Sequence, residues 1–438
     1  MSKTIIIIGA GLAGLSAALQ AAENGCNVKL VSSLPSERAQ SVMAEGGINA
    51  ALNTKDENDS PEEHFTDTIK AACGLADPNA VWGMTQAAPE LVHWLLKLGV
   101  KFNMSGYDDV DLRNFGGQKK KRTAFAQSDT GKQIMTAMID AVRRKEASGM
   151  VERFSHHSFL TLRLCGNICC GCVIRDEYSQ ETVELPGDAV IVATGGMHGL
   201  FGNTTGSLSN TGEVTAELFR LGVPLANGEM IQYHPTTVKC GGKRMLISEA
   251  ARGEGGRLFA MKDGKQWYFM EEKYPELGNL MPRDITAREI WKVSHESEVF
   301  LDMTEISEEI ISNKLSGLAD DCMTYLHKDI RKEPVSVLPG IHYFMGGILV
   351  DEQHRTPIQN LYAAGECCAQ YHGANRLGGN SLLGALYGGR VAAKSACEQA
   401  DVVDLSCATQ IDFPPASQIS EIKQLNKVMP VSYTHLRA

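Results

Sequence analysis

The chain has 438 residues, and 42 Lys and Arg stand against 52 Asp and Glu, which gives a formal net charge of −10. With 43% hydrophobic and 21% charged residues, this is an ordinary soluble composition of roughly two to four domains, and it excludes a disordered or fibrous chain. Phosphate contacts need clustered Lys and Arg, so the acidic balance argues against a nucleic-acid binder. The basic run Lys119–Arg122 is too short to change this, and we expect a solvated loop there.

The first predicted element is a nucleotide-binding βαβ unit. Ile5–Ile8 is a β-branched run of strand length, a glycine-rich turn and an Ala/Leu-rich helix follow it, and Asn27–Ser32 reads as a second strand. This context makes Gly9–Gly14 the G-x-G-x-x-G motif of dinucleotide-binding sheets, whose glycines allow a tight turn, close approach of the pyrophosphate and close helix packing. An acidic residue commonly ends the second strand and holds the ribose; here Ser32 stands there, which leaves that contact open.

The same unit explains a stretch without charges over residues 4–22, which could otherwise be taken for a signal peptide or a membrane span. Its early glycines divide it into a strand and a helix. No other segment is long and apolar enough to cross a bilayer, so we predict no direct membrane span.

The twelve cysteines have irregular spacings, which favours a reducing, cytoplasmic compartment. The densest group, at positions 165–172, surrounds a predicted hairpin turn between Leu160–Leu164 and Ile168–Ile174. We interpret these as plain hairpin cysteines rather than iron-sulfur ligands, whose known spacings differ. No metal site is predicted.

Two later segments, 188–196 and 361–366, are apolar runs that end in Gly or in Gly-Glu, and we expect both to join the sheet begun by the first strand. One nucleotide-binding domain is then interrupted by an inserted block. The predicted fold class is α/β, with a Rossmann-like parallel central sheet interrupted by an α+β capping domain. The predicted divisions are a first part of the nucleotide-binding domain at 1–227, the capping domain at 228–342, and the second part at 343–395.

Glycine-flanked stretches with imidazole or charged side chains recur along the chain. Taken singly, each is usually structural. The set resembles the flavoprotein subunits of succinate dehydrogenase and fumarate reductase from about Lys3 to Arg390, in family order, through GAGLAG, AEGGINAALNTKDENDSPEEHF, FGGQKKKRTAF, DTGKQIM, NTGE, QYHPT, SEAARGEGG, HYFMGG, AAGE and HGANRLGGNSLL. The resemblance implies FAD as cofactor, interconversion of fumarate and succinate by hydride transfer at flavin N5, and a mobile capping lobe.

Matched position by position, the resemblance also implies residue roles. The proton donor and acceptor would be Arg283, supplied through Glu249 and Arg252. The residues that bind the dicarboxylate would be His234, Ser248, His342 and Arg376, with Phe115 as an aromatic beside it. The FAD contacts would include Gly9, Ala10, Gly11, Leu12, Ala13, Gly14, Ser32, Ser41, Gly46, Gly47, Glu213, Glu366, Ser381 and Leu382.

Two departures from the family pattern matter. Many members attach FAD covalently through a histidine, and alignment on Gly46-Gly47 puts Gln40 at that position. An amide cannot form the bond, so we predict noncovalent FAD and favour fumarate reduction. Family members also continue through an extended helical domain, so we expect 396–430 to begin a truncated helical domain that is largely missing, with an atypical tail at 431–438.

Two alternatives remain open. L-Aspartate oxidase shares the scaffold and a similar dicarboxylate site, although the basic run near Phe115 does not suit an ammonium group. The chain could also be an FAD-binding subunit without chemistry of its own. By resemblance the partners would be an iron-sulfur subunit and a membrane anchor, which would hold the protein at the cytoplasmic face of the membrane; no nucleic-acid partner is expected.

Overall fold

A computed structural model describes residues 2–106 and 109–401. The strands are β1 Thr4–Ile8, β2 Asn27–Ser32, β3 Ile48–Asn49, β4 Leu112–Arg113, β5 Thr123–Ala124, β6 Val151–Ser155, β7 His157–Cys165, β8 Ile168–Asp176, β9 Thr182–Pro186, β10 Ala189–Val192, β11 Leu225–Ala226, β12 Ile231–Cys240, β13 Lys243–Leu246, β14 Arg257–Lys262, β15 Lys265–Trp267, β16 Val299–Asp302, β17 Val335–Ser336, β18 Leu338–Phe344, β19 Gly347–Leu349, β20 Leu361–Ala363 and β21 Cys368–Ala369. The α-helices are α1 Leu12–Glu23, α2 Pro61–Ala72, α3 Pro78–Lys97, α4 Thr130–Ala147, α5 Glu213–Arg220, α6 Glu249–Gly253, α7 Phe269–Lys273, α8 Arg283–Val293, α9 Glu308–Lys314, α10 Ser316–Asp321 and α11 Asn380–Gln399.

The centre of the fold is a five-stranded parallel sheet in the order β20-β10-β1-β2-β6. Its middle strand, β1, is buried from Ile5 to Ile8 because helices and a second layer of strands cover both faces, as a continuous β-branched run predicts. The expectation that 188–196 and 361–366 return to this sheet is confirmed, since they contain β10 and β20. The α/β class with a parallel central sheet is confirmed with it.

Two glycines of the first turn are required by close contacts. Gly9 has φ +113°, and a Cβ there would lie 2.2 Å from the carbonyl oxygen of Ala193. A Cβ on Gly14 would lie 1.8 Å from the carbonyl oxygen of Gly9. Any side chain at these positions would push α1 away from β1 and β10, so both glycines hold the helix N-terminus close to the ends of the strands.

A second layer is the antiparallel sheet β7-β8-β9, which packs through Phe159, Leu162 and Cys172 against the central sheet. Cys169, Cys170 and Cys172 are free and buried on β8. Burial raises the pKa of the Cys169 thiol to about 12 and also raises that of Cys172. These two cysteines have the C-x-x-C spacing, but thiols held protonated inside a sheet are structural rather than redox-active.

The block between β11 and β18 carries its own hydrophobic cluster. The sheet β15-β14-β16-β17 packs its Leu258, Ala260 and Leu301 against α8 and the α9–α10 region. A three-stranded sheet, β13-β12-β18, connects this cluster to the rest of the molecule. The inserted segment therefore brings β12, α6 and α8 over the carboxyl ends of the central strands, where ligands of such sheets bind.

The C-terminal expectations concern residues that are mostly not described. Helix α11 ends at Gln399, so the predicted segments at 396–430 and 431–438 lie outside the described residues from position 402 onward. Among residues 2–106 and 109–401, no helix has the length and apolar character needed to cross a membrane.

The sequence suggested a solvated loop for the basic run at 119–122. The structure shows that its last residue is not solvated. Arg122 is fully buried, with its Nε and Nη2 on Asp59 at 3.1 and 2.8 Å and its Nη1 3.1 Å from Asp67. The arginine joins the loop before α2, α2 itself and β5. Sequence pattern could not reveal this, because both carboxylates lie more than 50 positions away along the chain.

We predict that Arg122→Ala lowers the free energy of unfolding by about 3–5 kcal/mol, because it leaves two buried carboxylates without their cation. The measurement is urea unfolding of both proteins at pH 7.

The matched control is Arg143→Ala, which removes an arginine that is 58% exposed and paired with Glu37, and should cost less than about 1 kcal/mol. Equal losses for the two variants would contradict the assignment of Arg122 as a structural cation.

Candidate functional site

A single cavity of about 600 Å³ extends from the first glycine turn to the inserted block. Of the site residues expected from the sequence, all line this cavity except Gly14, which packs helix against strand, and Arg252, which lies behind Glu249. Residues separated by more than 350 positions thus face one space. The cavity has two distinct ends, one rich in glycine and one rich in arginine and histidine.

The glycine-rich end is built for an anionic cofactor. Helix α1 begins at Leu12 with Gly11 as its N-cap, this glycine has no side chain that could cap the helix, and the first turn carries no acidic residue. The positive end of the helix dipole therefore faces the cavity, with N–H groups of the first turn that can bind an anion. The hydroxyl of Ser41 accepts a 3.3 Å hydrogen bond from the Leu12 N–H, next to the space above Gly11.

The end of β2 also fits a nucleotide. The Ser32 hydroxyl is buried and has no hydrogen-bond partner among the described residues, so it can bond to a group in the cavity. This is the position where an acidic residue commonly holds the ribose. The orphaned hydroxyl together with the uncapped helix fits a dinucleotide such as FAD.

The two acidic residues expected at the cofactor, Glu213 and Glu366, differ in their contacts and in their exposure. Glu366 Oε1 accepts a 3.0 Å hydrogen bond from the Phe344 N–H and lies 3.0 Å from His198 Nε2, so it joins β18 to the turn after β20. Glu213 is exposed at the first turn of α5. Both line the cavity, but only Glu366 is fixed by contacts within the protein.

At the other end, Glu249 holds two arginines. Its Oε2 lies 2.8 Å from Arg283 Nε and 2.6 Å from Nη2, and its Oε1 lies 3.4 Å from Arg252 Nη2 and accepts a 3.0 Å bond from the Gly116 N–H. All three charged side chains are nearly fully buried. Burial alone would raise the pKa of Glu249, but the charges of Arg283 and Arg252 outweigh it and lower that pKa below its ordinary value.

Local structure places this cluster. Ser248 caps α6, accepting a 3.4 Å bond from the Ala250 N–H, so Glu249 and Arg252 sit one helical turn apart on the same face. Arg283 is the first residue of α8, directly after its N-cap Pro282. The two short helices therefore meet with their charged residues facing each other.

The two histidines of the site are neutral at physiological pH. Burial, and then the charge of Arg283, hold the pKa of both His234 and His342 well below its usual range. Their rings lie 5.1 Å apart in a T-shaped arrangement, and His342 Nδ1 is 2.8 Å from the Thr205 hydroxyl. A neutral imidazole can still donate one hydrogen bond to a carboxylate without placing further charge beside the arginines.

Arg376 completes the cationic end. It is nearly fully buried, its guanidinium lies 4.3 Å from the centre of the Tyr343 ring, and its Nε has no hydrogen-bond partner among the described residues. Burial and the charge of Arg283 lower the pKa of Arg376 to about 9, so it is still protonated at pH 7. Phe115 closes the space on the other side: a Cβ on Gly46 would meet its ring at 3.1 Å.

The sequence reasoning missed two residues, one that contacts the arginines of the cavity and one that lines it. Gln232, inside the stretch QYHPT, accepts hydrogen bonds from both Arg283 and Arg376, at 3.1 and 2.8 Å. Glu45, directly before Gly46, lines the cavity, and burial together with the nearby charge of Asp321 raises its pKa to about 8. Both lay in strings already recognised, but an amide and a carboxyl beside glycines carry no motif signal of their own.

The described residues include no group of three or more His, Cys, Asp or Glu side chains that could hold a metal ion. The side chains that the arginine-rich end of the cavity does offer include guanidinium, imidazole and carboxyl groups.

The comparisons with known proteins agree with this geometry. Residues 4–382 match the model of the FAD binding domain family. The succinate dehydrogenase flavoprotein subunit of Bacillus subtilis is 44% identical over 413 residues, covering 92% of this chain and 70% of that protein. The L-aspartate oxidase of Streptomyces coelicolor is 33% identical over 432 residues, covering 95% and 73%. Among solved structures, a mutant of the E. coli quinol fumarate reductase FrdA superposes with a TM-score of 0.86 at 30% identity, covering 98% of this chain and 74% of that one.

The chain belongs to the succinate dehydrogenase and fumarate reductase flavoprotein family. It is an FAD-dependent oxidoreductase of this type, and the resemblance found in the sequence is confirmed. FAD binding follows from the family and from the fit of the glycine-rich end.

We predict that Glu45→Gln raises the melting temperature by several degrees at pH 8 and has little effect at pH 5. A carboxyl whose folded pKa is about 8, against an ordinary value of 4.5, costs stability as pH rises between those values, because only the unfolded state ionises freely. The amide cannot ionise, so its advantage grows over this window. The measurement is thermal unfolding of the FAD-loaded protein at pH 5, 6.5 and 8.

Glu184→Gln, at a residue 60% exposed on β9, is the control and should show a difference independent of pH. A constant difference for Glu45→Gln over the same range would contradict a raised pKa at Glu45.

Proposed function

We propose that this protein interconverts fumarate and succinate at the arginine-rich end of the cavity, with reduction of fumarate as the favoured direction. One observation carries the proposal: two buried arginines, Arg283 and Arg376, and two buried imidazoles line the same cavity whose other end fits FAD, with Arg252 behind Glu249. Bound FAD would supply or accept the hydride at its N5 atom.

The binding roles follow from charge and geometry. A dicarboxylate is a dianion, and guanidinium groups bind carboxylates through paired N–H donors. We assign one carboxylate to Arg376 and His342 and the other to His234 and the Ser248 hydroxyl, with Phe115 against the carbon chain. Holding both ends fixes the double bond in one orientation and can twist one carboxylate out of the plane of the alkene, which polarises the bond.

We assign the role of proton donor to Arg283. An arginine stays protonated at neutral pH, so it is a donor only towards a strongly basic carbon such as the one left when hydride adds to an activated alkene. The 2.6 Å contact with Glu249 and the 3.4 Å step from Glu249 to Arg252 support a relay that returns the proton. Fumarate, one hydride and one proton give succinate, and succinate oxidation runs through the same groups in reverse.

Gln40 supports noncovalent FAD. Its side chain lines the cavity beside Ser41 and lies 3.5 Å from the carbonyl oxygen of Thr205. A carboxamide has no nucleophilic nitrogen that could form a stable bond to the flavin ring. The family's flavin-linking histidine is absent from this position.

We further propose an iron-sulfur subunit and a membrane anchor as partners, with a cytoplasmic position at the membrane. The proposal rests on resemblance: relatives are named flavoprotein subunits, such as that of the 8-methylmenaquinol:fumarate reductase of Wolinella succinogenes, 33% identical over 439 residues. Electrons would reach the flavin from such a partner.

We predict that Arg283→Ala lowers fumarate-dependent oxidation of reduced viologen by about 10²–10⁴-fold under anaerobic conditions, because the proton donor is removed. The measurement is kcat of the purified, FAD-loaded chain with and without the substitution.

Arg288→Ala, on the same helix at a residue 61% exposed, is the matched control and should keep kcat within about twofold of the parent. Equal activity of the two variants would remove Arg283 from the reaction. If the unsubstituted protein binds FAD but does not turn over fumarate, the chain acts as a non-catalytic subunit; release of peroxide on adding aspartate would identify an L-aspartate oxidase.

We predict that acid precipitation releases all flavin into the supernatant, because Gln40 cannot hold it covalently. Absorbance of the supernatant and of the redissolved pellet measures the partition. Gln40→His is the informative variant: flavin that becomes acid-stable only in this variant would show that position 40 controls attachment. Flavin that stays with the unsubstituted protein would contradict the prediction.

A further inference from the structure

The two arginines that face the proposed substrate share one neutral acceptor. Gln232 lies on β12 and is nearly fully buried. Its Oε1 accepts hydrogen bonds from Arg283 Nη1 at 3.1 Å and from Arg376 Nη2 at 2.8 Å. Arg283 begins α8 in the inserted block, whereas Arg376 follows β21, so a single amide oxygen joins cations from two parts of the chain.

The orientation of this amide follows from the chemistry of its neighbours. A guanidinium has only donors, so the oxygen and not the nitrogen of Gln232 must face the arginines. The Nε2 group donates to the Asn375 side chain at 2.9 Å and to the carbonyl oxygen of Arg376 at 2.7 Å. Asn375 in turn donates to Asp284 at 2.9 Å, which fixes the far side of the network. All four hydrogen-bonding directions of Gln232 are therefore used.

The neutrality of Gln232 affects the charge of the groups that it and Glu249 join. Within this group Arg252, Arg283 and Arg376 contribute +3 and Glu249 contributes −1, so this buried cluster carries a net charge of +2. The histidines add none while they are neutral. A dicarboxylate brings −2, which the cluster can neutralise completely. A carboxylate in place of the Gln232 amide would keep an acceptor for both arginines but reduce the cluster to +1.

We propose that Gln232 is the residue that makes this site select dianions, by positioning Arg283 and Arg376 without cancelling either charge. This inference rests on the proposed function and adds to it the residue that determines which substrate charge the site prefers. Gln232 is a positioning residue, because it acts through the two arginines. Its defining property is that it accepts two charged hydrogen bonds while remaining uncharged.

The test compares fumarate with its monomethyl ester, which carries one negative charge less but keeps the same alkene. The readout is the ratio of kcat/KM for fumarate to kcat/KM for the ester, measured with reduced viologen. Gln232→Glu should lower this ratio at least about tenfold. Gln232→Met, which removes the acceptor but leaves the net charge at +2, should lower kcat for both substrates and keep the ratio within about twofold.

Gln370→Glu is the matched control. Gln370 is as buried as Gln232, but its amide donates to the carbonyl oxygen of Asp351 instead of joining Arg283 and Arg376, so the substrate ratio of this variant should match that of the parent. Asn375→Asp provides a second charged variant in case Gln232→Glu does not fold. It places the added charge one hydrogen bond farther from the arginines and should lower the ratio by about threefold.

The possible failures are distinguishable. If the parent protein reduces fumarate and Gln232→Glu loads FAD but keeps the parental ratio, the inference is overturned while the proposed function stands. If Gln232→Glu does not fold and Asn375→Asp keeps the parental ratio, the inference is overturned as well. If the parent protein reduces neither fumarate nor the ester, the proposed function is wrong, and the inference that rests on it is wrong as well.

Discussion

The contact on which this site depends is the one between Glu249 and Arg283. Three arginines gathered inside a protein repel one another, and removing charges from water is costly. Glu249 offsets part of that cost by bonding to Arg283 with one oxygen and approaching Arg252 with the other. Because its pKa is lowered, it stays ionised at physiological pH and the arginines stay in place. The remaining positive charge is then available to a ligand.

The arrangement of charged residues also explains the position of the inserted block over the carboxyl ends of the central strands. Sheet β13-β12-β18 carries His234 and His342, which line the cavity, and Gln232, which bonds to two of its arginines, while α8 brings Arg283 to the same space. The central parallel sheet contributes the glycine turn at the carboxyl end of β1. Ligands of such a sheet bind in the crevice at the carboxyl ends of its strands, and in the assignment proposed above the inserted block that covers this crevice supplies the proton donor and most of the dicarboxylate contacts. A shift of the block would separate Arg283 from Arg376, which come from different parts of the chain.

The elements that sequence could predict are those specified locally. Ile5–Ile8, the glycine turn and α1 form a continuous pattern, and the later glycine-ended strands share its apolar character, so the central sheet was predictable. Arg122 was not, because a basic run looks the same in sequence whether its last residue is solvated or is buried against Asp59. Gln232 and Glu45 were missed for a related reason: their roles arise from neighbours brought in by distant segments, and only the folded chain shows those neighbours.

The same residues must serve both directions of the proposed reaction, so the arginine-rich end cannot determine which one prevails. The preference has to come from groups that act on the flavin and not on the dicarboxylate. Gln40 is one such group if the flavin is noncovalent as we propose, since covalent attachment favours succinate oxidation in the family that this chain resembles. The two proposals thus assign different functions to the two ends of the cavity: one end would select the charge of the substrate, and the other would set the tendency of the cofactor to give up electrons.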